Sequence, residues 1–260
     1  VFMNKAQPIG LFDSGVGGLS IWKDLVKLLP LEDTIYLADS KNAPYGQKSK
    51  EEIIALSFKN TDLLIEMGCK IIIVACNTAT TNAIKELRAN YTIPFIGIEP
   101  AIKPAVNNST TKVIGILATQ GTLTSELFAN RVAEYKNTKI IEQVGLGLVN
   151  LIEGGDIESR EMTFLLKSYL EPMIAQNIDY LVLGCTHYPF LINQIKKIIP
   201  STVTIIDSGD AVARQTQKLL KDLNGLKSKD SGNAQFFSNA DITVMTQLVG
   251  TTQNVHFKEF

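Results

Sequence analysis

The sequence is short of several residue types, and each shortage excludes a class of protein. Three cysteines among 260 residues are too few for the disulfide framework of a small secreted domain. The net charge of −1 gives no electrostatic basis for binding nucleic acid, and no apolar run approaches the roughly 20 residues that span a membrane. The first residues, VFMNKAQP, do not follow the layout of a signal peptide. We therefore expect a cytoplasmic protein that binds neither nucleic acid nor membrane.

Short apolar runs alternate with amphipathic stretches along most of the chain. Most of these runs lack the alternation of a half-exposed strand, as expected of strands that are covered on both faces. Strands that alternate with helices predict an α/β fold with mostly parallel sheets. The predicted strands form a first set at 9–12, 34–38, 71–75 and 93–97, and a second set at 113–118, 139–144, 180–184 and 203–206.

The two sets of strands resemble each other. IGLFDSG from Ile9 matches IGILATQG from Ile114. A strand that ends before Cys76 likewise matches one that ends before Cys185, at a similar separation along the chain. Chance is the alternative, because apolar strands of parallel sheets look alike, but we favour a repeat. The pattern predicts two similar α/β domains that face each other across a central cleft, one formed by 1–98 with 208–260 returning to it, the other by 99–207.

Polar residues follow the predicted strands at their carboxyl ends. In parallel α/β proteins the ligand crevice lies beyond these ends, so the residues there are candidates for a binding site or an active site. They are Asp13 and Ser14 after the first strand, Asp39 after the second, Cys76, Asn77 and Thr78 after the third, Thr119 after 113–118, and Cys185, Thr186 and His187 after 180–184.

Cys76 and Cys185 occupy equivalent places in the two sets of strands, so two facing domains would bring both thiols to one cleft. One thiolate can remove a proton from a stereocentre while a thiol on the other face returns one. Each cysteine precedes a predicted helix, whose N-terminal amides favour a thiolate. His187 is a proton partner for Cys185; Asp13 is a weaker partner for Cys76, because a carboxylate raises the pKa of a thiol. These residues predict two-base inversion of a small acid, and no motif demands a cofactor.

Other interpretations of these residues stay open. Buried cysteines are common in protein cores, and we assign Cys69 to the core. Asp13 can instead serve only as a helix cap. The other two cysteines and His187 can be zinc ligands, although no fourth ligand is evident. The glycine-rich segment 13–20 lacks the spacing of a nucleotide-binding loop. A non-catalytic protein that binds a small anion is a further alternative.

Four motifs together resemble the glutamate racemases of the aspartate/glutamate racemase family: DSGVGG at 13–18, APYG at 43–46, ACNTAT at 75–80 and GCTHYP at 184–189. The resemblance extends over roughly residues 9–212. Aspartate racemases usually lack the histidine of the last motif, so it favours glutamate; an aspartate or broader amino-acid racemase is the alternative. The resemblance implies two α/β domains with the active site between them, racemisation of glutamate without cofactor or metal, D-glutamate for peptidoglycan, and a homodimer.

The resemblance also implies roles for individual residues. Cys76 would deprotonate D-glutamate and Cys185 would deprotonate L-glutamate, with Asp13 and His187 supporting them. Asp39 and Glu153 stand where the family carries further acidic residues near the site. The residues before Ile9 are too few for the extension that binds a cell-wall precursor as activator in some members, so we expect activity without that activator. The implied substrate contacts are Asp13, Ser14, Tyr45, Gly46, Asn77, Thr78, Thr119, Thr186 and His187.

Overall fold

The structure, a computed structural model, describes residues 3–260. Its strands form two parallel sheets with helices between them, so the predicted α/β fold class is confirmed. All eight predicted strands are present, each within two residues of its predicted bounds. The strands are β1 (Ile9–Asp13), β2 (Thr34–Ala38), β3 (Ile71–Val74), β4 (Phe95–Gly97), β5 (Val113–Ala118), β6 (Lys139–Val144), β7 (Tyr180–Gly184), β8 (Thr204–Ile206), β9 (Ala234–Ser238) and β10 (Asn254–Phe257).

Helices make most of the connections between successive strands, as parallel pairing requires. Within residues 3–260, no helix combines the length and the apolar character needed to cross a membrane. Three short 3₁₀ turns lie at Ser40–Asn42, Tyr45–Gln47 and Tyr188–Leu191. The helices are α1 (Leu19–Leu28), α2 (Lys50–Glu66), α3 (Asn77–Asn90), α4 (Ile102–Asn108), α5 (Gln120–Leu123), α6 (Glu126–Ala133), α7 (Leu148–Glu153), α8 (Arg160–Ile174), α9 (Ile192–Ile195), α10 (Gly209–Asp222) and α11 (Thr243–Val249).

Four neighbouring strands of sheet A, β2-β1-β3-β4, have the same order as the four strands of sheet B. Sheet A runs β10-β9-β2-β1-β3-β4 and sheet B runs β6-β5-β7-β8, and the paired strands are all parallel. β1 and β5 therefore hold corresponding places, as do β3 and β7. After β1 the chain pairs first on one side and then on the other, and such a reversal opens a crevice at the carboxyl ends of the strands. The same reversal occurs in sheet B.

The strands that lead to this crevice are buried. Every residue of β1, β2 and β3 is buried, and in β7 only Tyr180 is partly exposed. β-Branched residues such as those of Ile71–Val74 suit a pleated surface that is covered on both faces. β6, at the edge of sheet B, has no buried residue. The loops after β1, β3 and β7 therefore follow strands that are buried over nearly their whole length.

The chain after 208 returns to sheet A. α10 packs against α1, β9 pairs with β2 in the register Thr34↔Ala234 to Ala38↔Ser238, and β10 pairs with β9. Parallel addition of these two strands extends sheet A beyond β2. The division of the chain into domains at 98/99 and 207/208 stays a prediction.

Candidate active site

The carboxyl ends of β1, β3, β5 and β7 meet at one small cavity. A wider surface groove lies between α3 and α6, but none of the described cysteines or histidines lines it. We therefore place the candidate active site in the smaller cavity, which both cysteines and His187 line. Its lining consists of Ser14, Pro44, Tyr45, Gly46, Cys76, Asn77, Thr78, Thr119, Val149, Cys185, Thr186 and His187.

The structure brings ten of the thirteen residues named from the sequence to the wall of this cavity. The other three are carboxylates, and each lies behind the wall, where a lining side chain contacts it through a hydrogen bond. In this second layer Asp13 is bonded to Thr186, Asp39 to Tyr45, and Glu153 to His187.

Two lining residues were not named from the sequence. Pro44 lies inside the APYG motif, so the sequence could have predicted it as a cavity residue. Val149 is a buried residue of α7, and an apolar position on a short helix carries no signal that separates a cavity wall from an ordinary core.

Cys76 is the N-cap residue of α3. Its Sγ accepts a hydrogen bond from the Ala79 N–H at 3.4 Å and lies 3.8 Å from the hydroxyl of Ser14. Burial, and next the charge of Asp13, raise the pKa of the Cys76 thiol above its ordinary value. The carboxylate thus acts in the direction expected from the sequence, and Cys76 is a thiol that can donate a proton.

Cys185 has a different partner, an imidazole. Its Sγ lies 3.7 Å from Nδ1 of His187, and Nε2 of the same ring lies 2.6 Å from the Glu153 carboxylate. Burial lowers the pKa of His187, but the hydrogen bonds to Cys185 and Glu153 outweigh it and raise the pKa well above the usual 6.5. The sulfur, imidazole and carboxylate form a chain through which a proton can be held beside Cys185.

The prediction that an α-helix begins at Cys185 is wrong. An α-helix capped there would need an N–H at position 189 to donate to the Cys185 carbonyl, and Pro189 has no N–H. The Tyr188 N–H donates to that carbonyl instead, at 3.1 Å. The chain forms the 3₁₀ turn Tyr188–Leu191 before the short α9. The polar surroundings of Cys185 thus come from His187, and those of Cys76 come from helix amides.

Asp13 is fully buried at the end of β1. Its carboxylate accepts hydrogen bonds from the Gly15 N–H and from the Thr186 hydroxyl, both at 2.8 Å. Burial raises the pKa of Asp13 from 3.8 to about 6, although His187 and both hydrogen bonds lower it. The N-cap of α1 is Gly18, so Asp13 is not the cap of that helix. It joins the first loop of sheet A to the turn that follows β7.

The glycines of the segment 13–20 allow close contact with the Glu153–His187 pair. A Cβ atom at Gly15 would overlap the Glu153 carboxylate, and one at Gly17 would overlap the imidazole of His187. The Val16 N–H donates to the same carboxylate at 2.6 Å. The glycine-rich loop is thus a surface against which the charged pair of the opposite sheet rests.

Hydroxyl and amide donors from both sheets complete the wall. The hydroxyls of Thr78 and Thr119 lie 2.8 Å apart, and Thr122 lies within 3.2 Å of both. Nδ2 of Asn77 is buried and has no hydrogen-bond partner. A buried donor without a partner is rare in native proteins, so this amide group is available to a ligand.

Backbone N–H groups add to these donors. The first-turn amides of α3 have no partner inside the helix. In the described chain, the N–H groups of Tyr45, Gly46 and Thr186 have no backbone acceptor either. No lysine or arginine lines the cavity in the part of the chain that the structure describes. The arrangement therefore suits carboxylate groups that are bound by neutral donors.

A zinc site requires ligands that converge on one point. Within residues 3–260, no three side chains of histidine, cysteine, aspartate or glutamate are placed to hold a metal ion. The side chains around the two cysteines are arranged as separate hydrogen-bonded pairs, which fits proton transfer better than metal ligation.

Comparison with known proteins gives consistent results. A family model described as Asp/Glu/Hydantoin racemase matches residues 17–216. The glutamate racemase of Herpetosiphon aurantiacus is 46% identical over 239 residues, which is 91% of this chain and 94% of the relative. That of Ralstonia pickettii is 44% identical over 247 residues, which is 94% of this chain and 88% of the relative.

Solved glutamate racemases share the fold over nearly their whole length. An isoform from Bacillus anthracis has a TM-score of 0.89 at 30% identity, with 99% of both chains covered. The Francisella tularensis enzyme, in complex with D-glutamate, has a TM-score of 0.85 at 30% identity, with 98% of both chains covered. The Escherichia coli enzyme, in complex with L-glutamate and the activator UDP-MurNAc-ala, has a TM-score of 0.84 at 31% identity and covers 97% of this chain and 98% of its own.

Proposed function

The chain belongs to the Asp/Glu/Hydantoin racemase family, and from this premise we propose that it interconverts L- and D-glutamate by proton transfer between the α-carbon and two thiols, Cys76 and Cys185. The observation that carries the proposal is that two buried cysteines, each after the corresponding strand of a different sheet, line one cavity. Relatives that are named glutamate racemase, and solved neighbours in complex with either enantiomer, support glutamate as the substrate.

In the proposed reaction each thiol acts on one face of the α-carbon. With L-glutamate, the Cys185 thiolate removes the α-proton and the Cys76 thiol donates its proton to the opposite face, which gives D-glutamate. The reverse reaction exchanges the roles, so no net proton is gained or lost. His187 takes and returns the proton of Cys185 across the 3.7 Å contact. For Cys76, the hydroxyl of Ser14 lies between the sulfur and Asp13, at 3.8 Å and 3.4 Å respectively.

Binding of the substrate carboxylates is assigned to the neutral donors of the wall. Asn77 offers its free Nδ2, and Thr78 offers its first-turn amide in α3. Tyr45 and Gly46 offer backbone N–H groups from one side, and Thr186 offers its own from the other. Donors that are already fixed in place cost no reorganisation when negative charge develops at the α-carbon. Thr119 and Ser14 complete the proposed contacts with hydroxyl groups.

The cellular setting is part of the same proposal. We expect a cytoplasmic homodimer that works without cofactor or metal, supplies D-glutamate for peptidoglycan and has no nucleic-acid partner. Support for these expectations comes from the family resemblance and from the balanced charge of the sequence.

The test is proton NMR of L-glutamate with the purified, metal-free protein in D₂O, followed by chiral analysis of the product. The proposal expects loss of the α-proton signal together with appearance of D-glutamate. A parallel incubation with L-aspartate separates a glutamate enzyme from a broader racemase. Absence of exchange with both amino acids under reducing conditions would overturn the proposed reaction and leave a protein that binds a small acid without turnover.

A further inference from the structure

Asn239 directly follows β9 and is far along the sequence from the four motifs. Its amide group is buried beside the loop that follows β2. Its Nδ2 donates to Oδ1 of Asp39 at 2.5 Å, across 200 residues of sequence. Its Oδ1 accepts from the Lys41 N–H at 2.9 Å, and its own N–H donates to the Ala38 carbonyl at 3.3 Å. A second, longer bond runs from Nδ2 to the Phe260 carbonyl at 3.3 Å. The side chain of Asn239 thus holds Asp39 and Lys41, and its backbone N–H holds Ala38.

Asp39 transmits this contact to the cavity. It is fully buried, and its second oxygen accepts a hydrogen bond from the Tyr45 hydroxyl at 2.5 Å. Asn42 contributes one more donor to Asp39, at 2.8 Å, and Asn60 donates to the Tyr45 hydroxyl at 3.1 Å. The carboxylate therefore joins the start of the loop to the 3₁₀ turn that carries the N–H groups of Tyr45 and Gly46.

From this geometry we infer that Asn239 is a positioning residue for the carboxylate-binding turn at Tyr45 and Gly46, and that it acts through Asp39. A buried carboxylate that loses a donor must find another or admit water, because an unsatisfied buried charge is costly. Without the Asn239 amide, Asp39 turns away from Tyr45 and the turn loses its fixed place. The inference rests on the proposed function, since it assigns the turn to binding of a glutamate carboxylate.

The N–H groups of this turn are assigned to a substrate carboxylate and not to the reacting α-carbon, so loss of the turn weakens binding of substrate and transition state alike. Such a loss raises KM and leaves kcat nearly unchanged. We expect Asn239→Ala to raise the KM for D-glutamate about tenfold, the effect of losing one hydrogen bond to a charged group. We expect kcat to stay within about threefold of its original value.

A second substitution distinguishes positioning from simple packing. Asn239→Asp keeps the size of the side chain and the acceptor for the Lys41 N–H, but it sets a carboxylate against Asp39. We expect Asn239→Asp to raise KM more than Asn239→Ala does, because like charges at hydrogen-bond distance repel strongly in a buried place. A packing role predicts the opposite order. Ser238→Ala is the matched control: Ser238 is the last residue of β9, its hydroxyl accepts from the Ala240 N–H and makes no hydrogen bond with Asp39, and the variant should keep the original KM.

The route is tested by combining Asn239→Ala with Tyr45→Phe, which removes the Asp39–Tyr45 hydrogen bond. If Asn239 acts through that bond, adding Asn239→Ala to Tyr45→Phe changes KM by less than about twofold. A full additional increase in KM would overturn the inference, as would a fall in kcat alone, because that result points to the Ser40–Glu153 contact. An unchanged KM in Asn239→Ala would also overturn it.

Two further measurements keep these results separable. Thermal unfolding of each variant establishes that it is folded at the assay temperature, and Asn239→Ser replaces the alanine variant if that variant does not fold. Calorimetric titration with D-glutamate measures binding without turnover. Failure of the unsubstituted protein to racemise glutamate would overturn the proposed function, whereas racemisation with a KM that ignores Asn239 would overturn only the positioning role.

Discussion

Cys76 and Cys185 stand at the same place in two sheets of the same strand order, yet their surroundings differ. Cys76 is an N-cap residue beside helix amides, a hydroxyl and a buried carboxylate. Cys185 follows its strand into a 3₁₀ turn and faces the imidazole of His187, which Glu153 holds from behind. The strand order brings both sulfurs to one cavity, and the neighbouring side chains decide how each handles a proton.

This difference assigns the proposed resting roles. Burial and the negative charge of Asp13 favour the protonated form of Cys76, which suits a proton donor. His187, whose pKa is raised, supplies the positive partner that a thiolate at Cys185 needs. The two cysteines follow corresponding strands but differ in their electrostatic surroundings, and we therefore propose that Cys76 acts as the acid and Cys185 as the base when L-glutamate is the substrate.

The largest expected effect comes from removal of either sulfur. Cys76→Ala and Cys185→Ala should each reduce racemisation by about 10³-fold or more, because inversion needs both an acid and a base and such groups contribute about 10²–10⁴-fold each. Chiral chromatography of the product measures the loss, and circular dichroism checks that the fold is kept. Full activity in either variant would rule out the assignment of two bases.

Replacement of His187 tests the asymmetry. His187→Asn should lower kcat/KM by about 10²-fold, the contribution of a lost proton partner. Enantiomers have equal free energies, so kcat/KM must fall equally in both directions. The asymmetry is expected instead in the primary isotope effect, which should grow for α-deuterated L-glutamate and not for the D-enantiomer. Equal growth for both enantiomers would contradict the pairing of His187 with Cys185 alone.

Asp13→Asn tests the electrostatics on the other side. The folded pKa of about 6 exceeds the ordinary 3.8, so the ionised carboxylate destabilises the fold above about pH 6, and this cost vanishes below about pH 4. The rise in pKa corresponds to roughly 3 kcal/mol. Asp13→Asn should therefore have a larger free energy of unfolding in denaturant than the original chain at pH 8 and not at pH 4, while activity falls about tenfold. Denaturant unfolding at both pH values checks the sign; a stability difference independent of pH would contradict it.

The smallest effect is expected at Cys69, the third cysteine. It is buried, and burial alone raises its pKa to about 12. Cys69 lies before β3, away from the cavity. Cys69→Ala should change kcat/KM by less than about twofold and cost about 1 kcal/mol of stability. A large loss of activity would mean that a cysteine need not lie at the carboxyl end of a strand to take part in the reaction.

Much of the fold was predictable because it follows from local patterns. Runs such as Ile71–Val74 are apolar on both faces, and only buried parallel strands combine that pattern with intervening helices. No local pattern assigns β9, because its place is set by pairing with β2 about 200 residues earlier. The α-helix expected after Cys185 does not form there because Pro189 lacks the N–H that would close its first turn. A pattern of apolar and polar residues does not show the loss of a single N–H group.

The residues of the candidate site likewise fall into those that local sequence patterns predict and those that they do not. Residues that line the cavity at strand ends carry a signal, since polar side chains after apolar strands are conspicuous. Residues that act from behind do not: Glu153 was selected by resemblance alone, and Asn239 was not selected at all. Both are hydrogen-bonded to partners that are distant in sequence, and no local periodicity predicts such pairs.

The contact of Gly15 and Gly17 with Glu153 and His187 bears on how this protein can change by descent. The two glycines lie in the loop after β1 of sheet A, and the groups that occupy the space of their missing side chains lie in α7 and in the turn after β7 of sheet B, so we expect the two parts to be inherited together. A chimera that joins the sheet A segments of this chain to sheet B of a distant relative keeps a working Cys185 only if glycines and a matching glutamate–histidine pair arrive together. We therefore expect the glycines of the one part and the glutamate–histidine pair of the other to change together among relatives.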